Sequence, residues 1–251
     1  MREKLIPIDV ALCIAFFTRL PLPHLDFRDR TLADAIWAAP IAGLAVALLS
    51  AAAYTCSVWL GLPSGPAAAL ALAAALLATG CLHEDGLSDV ADGFGGGSTR
   101  ERKLEIMRDS RIGSYGTAAL TISLLLRWSA LAALAGPSQV FAALVAAHCA
   151  SRALPAALMH VLPPARADGL SADAGTVSQE TALIGAVIGA VSLLTLGPGA
   201  ALAALLLLIA MLAGFAALCR RQIGGQTGDT AGALQQFGEI AVLLVASAAF
   251  S

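Results

Sequence analysis

Long stretches without a charged side chain constrain this chain more than any other feature. Residues 35–60 and 181–219 contain no Asp, Glu, Lys or Arg, and residues 66–82 form a shorter stretch of the same kind. A helix that crosses a bilayer needs about 20 mostly apolar residues. Of all residues, 58% are hydrophobic and 13% are charged, whereas soluble domains are typically about 25% charged. We therefore predict a multi-pass membrane protein.

The remaining apolar segments complete an all-α helical bundle, with about six to seven transmembrane helices. Segments 112–135 and 138–160 each carry one arginine, Gly197-Pro198-Gly199 divides 181–219 into two crossings, and a last candidate covers 233–251. Residues 5–20 contain charges and are interpreted as an interfacial or re-entrant segment. We expect the N-terminus to be retained, because no cleavage pattern follows its basic residues. Residues 1–251 are treated as a single membrane-embedded domain.

The charge balance excludes two other classes of protein. Fifteen Lys and Arg are balanced by 17 Asp and Glu, for a net charge of −2, so binding of nucleic acid by a basic surface is not expected. The abundance of Ala and Leu argues against a disordered chain.

The connections between the predicted spans are of two kinds. Some are short, uncharged and rich in Gly and Pro: 61–65, 136–137 and 197–199. The others hold nearly every charge: 1–34, 83–111, 161–180 and 220–232. Because alternate connections lie on opposite sides of a membrane, the charged ones share one side, which the positive-inside rule places in the cytoplasm. We therefore predict that 83–111 is a cytoplasmic loop.

That loop begins with an acidic cluster. Asp85, Asp89 and Asp92 are spaced i, i+4 and i+7, which places three carboxylates on one face of a helix. Like charges at this spacing repel, and hard oxygen ligands suit Mg²⁺ or Mn²⁺. The spacing therefore favours a metal site of the kind that binds phosphate esters; a solvated acidic helix end is the alternative.

Two further motifs contribute candidate site residues. Arg108 and Arg111 could bind a diphosphate through their guanidinium groups, with Asp109 between them as a metal ligand or an orienting group. The glycine-rich loop 224–232 could add Asp229 as a metal ligand and Thr227 and Gly228 as donors to substrate, although taken alone it is equally typical of a flexible turn.

Several ionisable residues lie inside predicted spans, where they are costly and indicate function by default. For His148 a packing role is favoured over catalysis, and Arg152, one helical turn later, either reaches the interface or pairs with an acid. The sequence does not place Arg127 and Glu239 together.

Four motifs occur in an order that resembles the cobalamin synthase (adenosylcobinamide-GDP ribazoletransferase) family. They are Thr18–Pro23, His83–Gly93, Arg108–Gly113 and Gly224–Asp229, and the resemblance runs from about residue 8 to residue 245. It implies a bacterial inner-membrane enzyme whose active site faces the cytoplasm. Such an enzyme would join adenosylcobinamide-GDP to α-ribazole, or its 5′-phosphate, with Mg²⁺. The products would be adenosylcobalamin, or its phosphate, and GMP.

This resemblance suggests roles for the candidate residues. Asp85, Asp89 and Asp92, with Asp109 or Asp229, would hold Mg²⁺ on the diphosphate, while Arg108 and Arg111 support its oxygens. A carboxylate or His83 would accept the proton of the ribazole 5′-hydroxyl. We thus treat His83, Asp85, Asp89 and Asp92 as candidate catalytic residues.

Two other functions remain open from the residues alone. A CDP-alcohol phosphotransferase also binds Mg²⁺ through spaced aspartates, but Asp85-Gly86 is followed here by Ser88-Asp89, without the Ala-Arg of that signature. A divalent-cation transporter would need acids along a path through the bilayer, whereas the acids here cluster at one surface. The sequence is compatible with a homo-oligomer.

Overall fold

The computed structural model describes residues 6–23, 27, 30–169 and 174–250. The α-helices are α1 (Ile6–Phe17), α2 (Leu32–Ala35), α3 (Ala39–Trp59), α4 (Ser64–Thr79), α5 (Leu82–Gly96), α6 (Arg100–Ile106), α7 (Ser114–Ala132), α8 (Pro137–Val161), α9 (Gln179–Ser192), α10 (Pro198–Ile223) and α11 (Gly228–Phe250). Short 3₁₀ turns, Ile36–Ala38 and Leu193–Leu196, precede α3 and follow α9. The described residues form no strand, and the predicted all-α class is confirmed.

Five helical segments are long and apolar enough to cross a membrane: Leu32–Trp59, Pro137–Val161, Gln179–Leu196, Pro198–Ile223 and Gly228–Phe250. The α4–α5 pair adds a sixth if its two helices count as one broken span. The predicted segment 112–135 forms α7, which is not among these segments. Ser, Thr and Tyr side chains and Arg127 make α7 less apolar. By length and composition the described helices give five spans, or six with the broken pair, in agreement with the lower end of the predicted six to seven.

A sharp bend separates α4 from α5. Gly80 and Cys81 both adopt left-handed conformations, with φ of 64° and 60°, and the two helix axes differ in direction by 89°. Glycine takes this conformation without steric cost and commonly ends helices in this way. Arg19, which follows α1, packs against Gly80 and donates its backbone N–H to the Ala78 carbonyl oxygen at 2.7 Å. The bend turns the acid-bearing helix away from the direction of α4.

Helix α8 forms the centre of the bundle and packs against α3, α9 and α11. Most of its residues are buried, and many of them are alanine. Small residues allow close approach of helices in a membrane protein. At the crossing with α3, a methyl group on Gly43 would collide with the His148 carbonyl oxygen.

Three of the charged connections meet at one end of the bundle. The Arg100 side chain donates to the Ala165 carbonyl oxygen at 2.7 Å. The backbone N–H of Gln226 donates to the Pro163 oxygen at 2.9 Å, and that of Ala165 donates to the Gln226 oxygen at 2.8 Å. Segments 83–111, 161–180 and 220–232 therefore form one assembled surface.

Candidate active site

The acidic helix predicted from the spacing is α5. Asp85 is exposed, Asp89 is partly buried and Asp92 is buried, so the three carboxylates lie at increasing depth. Asp89 experiences the charges of Asp85, Asp92 and Asp229. Because like charges repel more strongly where water is scarce, a cation near Asp89 would lower the electrostatic energy of this group.

Asp229 reaches the acidic helix because α11 crosses α5 closely. A methyl group on Gly86 would lie 2.7 Å from the Asp229 carbonyl oxygen, so only glycine permits this approach. Thr227 and Thr230 cap the start of α11: each backbone N–H donates to the other residue's hydroxyl, at 2.8 and 3.2 Å. The Thr227 hydroxyl also donates to Asp229 at 3.2 Å. Thr227, a predicted substrate-binding residue, thus orders the loop that carries Asp229.

Asp92 joins α5 to the start of α7. Its two carboxylate oxygens accept the backbone N–H groups of Gly113 and Gly116, at 2.7 and 2.9 Å. A carboxylate at a helix N-terminus satisfies donors that have no partner within the helix. The contacts of Asp92 are those of a helix cap.

The two arginines of the Arg108–Gly113 motif point to different surroundings. Arg108 pairs with Asp168 and lines a cleft together with Asp85 and Asp89. Arg111 is 86% exposed and pairs with Asp109 at 2.6 Å. The Arg111 guanidinium lowers the pKa of Asp109 to about 2, so this carboxylate is ionised at neutral pH. The structure brings Arg108, and not Arg111, to the acidic helix.

Two adjoining cavities meet at Asp85. The polar cleft has a volume of about 470 Å³ and is lined by Asp85, Ser88, Asp89, Arg108 and Asp109, among others. The apolar cavity, of about 120 Å³, lies between α1, α5, α8 and α11. His83, Asp85 and Asp229 contribute its charged or titratable side chains. Asp85 therefore lies between the two cavities and lines both.

Arg166 is a site residue that the sequence did not single out. It follows α8, and its guanidinium lies 3.5 Å from an oxygen of Asp229. Its second terminal nitrogen is buried and has no hydrogen-bond partner within the described part of the chain. A guanidinium with a spare donor beside the carboxylates is suited to a phosphate oxygen. Only its position in a charged connection hinted at this role.

The ionisable residues inside the bundle form a buried network beneath α5. Arg127 donates to Glu84 at 2.9 Å and to Glu239 at 3.0 Å. His148 lies 3.2 Å from Glu239, and Arg152 lies 3.0 Å from His148. Because Glu84 directly precedes Asp85, this network anchors the first turn of the acidic helix.

The chain matches a family model described as cobalamin-5-phosphate synthase over residues 9–247. The chain belongs to this family. A protein of Mesorhizobium japonicum named adenosylcobinamide-GDP ribazoletransferase is 67% identical over 97% of this chain and 94% of its own length. Proteins with the same name from Bradyrhizobium diazoefficiens and Azorhizobium caulinodans are 55% and 47% identical, covering 96% and 97% of this chain and 93% and 97% of their own lengths. No solved structure matches the chain.

Membership of the cobalamin-5-phosphate synthase family confirms the resemblance read from the four motifs and the prediction of an enzyme. All of the candidate site residues lie within the matched range. The family does not by itself assign a role to any of them.

The carboxylates of this synthase-family member differ in their freedom to bind a metal. Among the described residues, no group of three or more His, Cys, Asp or Glu is arranged to hold a metal ion. Asp92 and Asp109 use their oxygens for backbone and arginine donors. Asp85 and Asp89 have no hydrogen-bond or ion-pair partner in the described ranges. Since Mg²⁺ usually takes one or two carboxylates together with water and substrate phosphates, this pair fits it.

Proposed function

We propose that this protein joins adenosylcobinamide-GDP to α-ribazole or its 5′-phosphate, giving adenosylcobalamin or its phosphate and releasing GMP. The observation that carries the proposal is the polar cleft of a cobalamin-5-phosphate synthase family member, in which two unpartnered carboxylates face Arg108. The names of the relatives supply the substrate pair.

In this reaction a ribose hydroxyl oxygen of the nucleoside attacks the phosphorus next to cobinamide. This oxygen is not the predicted 5′-hydroxyl, because α-ribazole 5′-phosphate carries its phosphate there and keeps it in the product. A new P–O bond forms, the P–O bond to GMP breaks, and the hydroxyl proton must leave. Asp85 lies between the two cavities, and the carboxylate oxygen that does not hold the metal ion would accept this proton. The negative charge that develops on the leaving GMP would be stabilised by Arg108 and Arg166.

Asp85 and Asp89 would hold Mg²⁺, with Asp229 close by. When bound, the ion would neutralise diphosphate charge and orient the two phosphates. Arg166 holds Asp229 in place through their 3.5 Å contact. Asp92 supports the same site from a distance by holding α7 against α5.

We further propose that the enzyme lies in the bacterial inner membrane with the polar cleft on the cytoplasmic side. The described residues of three charged connections, 83–111, 161–180 and 220–232, contact one another, and the positive-inside rule favours the cytoplasm for the surface that they form. Cysteine accessibility to a membrane-impermeant reagent tests this orientation. An Arg102→Cys variant should be protected in intact cells and labelled in inverted vesicles.

The activity test uses the purified full chain in liposomes with adenosylcobinamide-GDP, α-ribazole and Mg²⁺. We expect GMP and a complete corrinoid in equal amounts, and loss of both on addition of a chelator. Absence of GMP with both substrates present would contradict the proposed reaction. Product formation in the presence of chelator would contradict the requirement for Mg²⁺. Release of CMP from a CDP-alcohol would favour a CDP-alcohol phosphotransferase, and cation flux without a nucleotide product would favour a divalent-cation transporter.

Neither of those functions is favoured by the geometry. The buried acids Glu84 and Glu239 are engaged with Arg127, so they do not form an open cation path. The unengaged acids lie at the charged end of the bundle.

A further inference from the structure

The apolar cavity beside the candidate active site has features of a binding site for a flat aromatic group. Phe17, Ile36 and Met159 line it. The rings of Phe17 and His83 are nearly parallel, at 6°, with their centres 5.8 Å apart. An engineered apolar cavity of about 150 Å³ admits benzene, so this cavity of about 120 Å³ encloses at most one ring of a flat aromatic group.

His83 gives this cavity a polar contact that the fold itself does not use. The side chain is buried, with 2% of its surface exposed. Its Nε2 atom has no hydrogen-bond partner among the described residues. A buried polar atom without a partner carries a cost that a ligand can remove. The cavity therefore offers an imidazole nitrogen as a hydrogen-bond partner within a mostly apolar lining, to which Asp85 and Asp229 add carboxylates.

We propose that the apolar cavity binds the aromatic base of the nucleoside acceptor, with His83 Nε2–H donating to the base's free ring nitrogen. This inference rests on the proposed function. The bicyclic benzimidazole of α-ribazole has one such nitrogen and an otherwise apolar edge. Guanine would instead bury a carbonyl oxygen and ring-nitrogen acceptors to which the lining carboxylates of Asp85 and Asp229 cannot donate, and a corrinoid ring is far too large.

The position of Asp85 explains how base binding would serve the reaction. Asp85 lines both cavities. With its base in the apolar cavity, a nucleoside would present its sugar at Asp85, and a diphosphate in the polar cleft would lie beyond it beside Arg108. In this arrangement His83 is a positioning residue, because it orients the base of the nucleoside acceptor.

The test separates binding of the nucleoside from the rest of the activity. We would measure KM for each substrate by GMP release, and the Kd of α-ribazole alone by calorimetry. Phe17→Ala should raise the KM and Kd of α-ribazole by about tenfold or more and leave the KM of adenosylcobinamide-GDP unchanged. Phe141→Ala, which removes an exposed ring from α8, is the matched control and should change neither.

The hydrogen bond is tested with an α-ribazole analogue in which carbon replaces the free ring nitrogen. Wild-type protein should bind the analogue at least about fivefold more weakly than α-ribazole. His83→Phe should bind both equally, and His83→Gln, which keeps a donor, should recover part of the preference. Met159→Trp, which fills the cavity, should weaken nucleoside binding even if Phe17→Ala is not recovered as folded protein.

The outcomes distinguish this inference from the proposed function. If wild-type protein releases GMP but the Phe17 and Met159 variants leave the KM of α-ribazole within twofold, the base binds elsewhere. An equal rise in both KM values, or an unchanged preference against the analogue in His83→Phe, would likewise overturn the inference. If wild-type protein releases no GMP and binds no α-ribazole, the proposed function itself fails.

Discussion

Arg127 of α7 and Glu239 of α11 form an ion pair 3.0 Å long in the interior of the bundle. Both side chains are at least 98% buried. The pair is also connected to Glu84 of α5, so three helices share one guanidinium. A charge in such a position is stable only while its partners are present. The acidic helix is therefore anchored to α7 and α11 by a buried ion-pair network.

Arg127→Met should destabilise the protein by about 3–5 kcal/mol, because Glu84 would remain buried without a cation and Glu239 would lose one of its cationic neighbours. The free energy of unfolding in mixed detergent micelles measures this effect. Arg102→Met is the control: its pair with Glu105 is exposed, and its loss should cost less than about 1 kcal/mol. Equal losses in the two variants would contradict a stabilising role for the buried pair.

The substitutions Asp92→Ala and Asp85→Asn should affect different properties: the first should lower stability, and the second should abolish activity. Removing the Asp92 cap should cost about 1–2 kcal/mol and increase amide exchange at Gly113 and Gly116. Asp85→Asn should abolish GMP release with an unchanged unfolding midpoint, because its carboxylate supports no described contact. An Asp92→Ala protein as stable as the wild type would contradict the capping role of Asp92. An active Asp85→Asn protein would contradict the catalytic role of Asp85.

Gly86→Ala should push α5 away from α11, since its methyl group would lie 2.7 Å from the Asp229 carbonyl oxygen. Overpacking of this kind typically costs about 1–3 kcal/mol. We also expect reduced turnover, because Asp85 and Asp229 would move apart. Gly199→Ala is the matched control, as nothing lies within 4 Å of the added methyl group; it should be neutral or slightly stabilising. Thermal unfolding and GMP release measure both variants.

Arg166→Met should lower kcat by about 100-fold, the loss typical when one donor to a developing charge is removed. Arg166→Lys should recover only part of the activity, because an ammonium cannot replace a guanidinium that contacts Asp229 and phosphate together. Steady-state kinetics with both substrates check this. An effect confined to the KM of α-ribazole would place Arg166 at the nucleoside instead.

The sequence predicted the parts of this structure that depend on local spacing. The helix bearing Asp85, Asp89 and Asp92 follows from a periodicity of three to four residues, and the crossings follow from uncharged length. The four motifs were sufficient to indicate the family. The expectation that the charged connections share one side followed from counting the predicted membrane crossings.

The remaining features depend on packing between distant segments, which periodicity does not encode. Nothing near Arg127 in sequence indicates Glu239, and Arg166 belongs to no motif. Asp92 has the spacing of a metal ligand, yet the approach of α7 gives its oxygens backbone donors instead.

The backbone link between Pro163 and Gln226 has a consequence for biogenesis. These residues precede and follow α9 and α10, and Asp229 opens the helix that comes after them. During translation the earlier helices can enter the lipid while the carboxylates of α5 still lack their partner from α11. We therefore expect the enzyme to become active late in its synthesis, when the segment after α10 docks against the segment after α8.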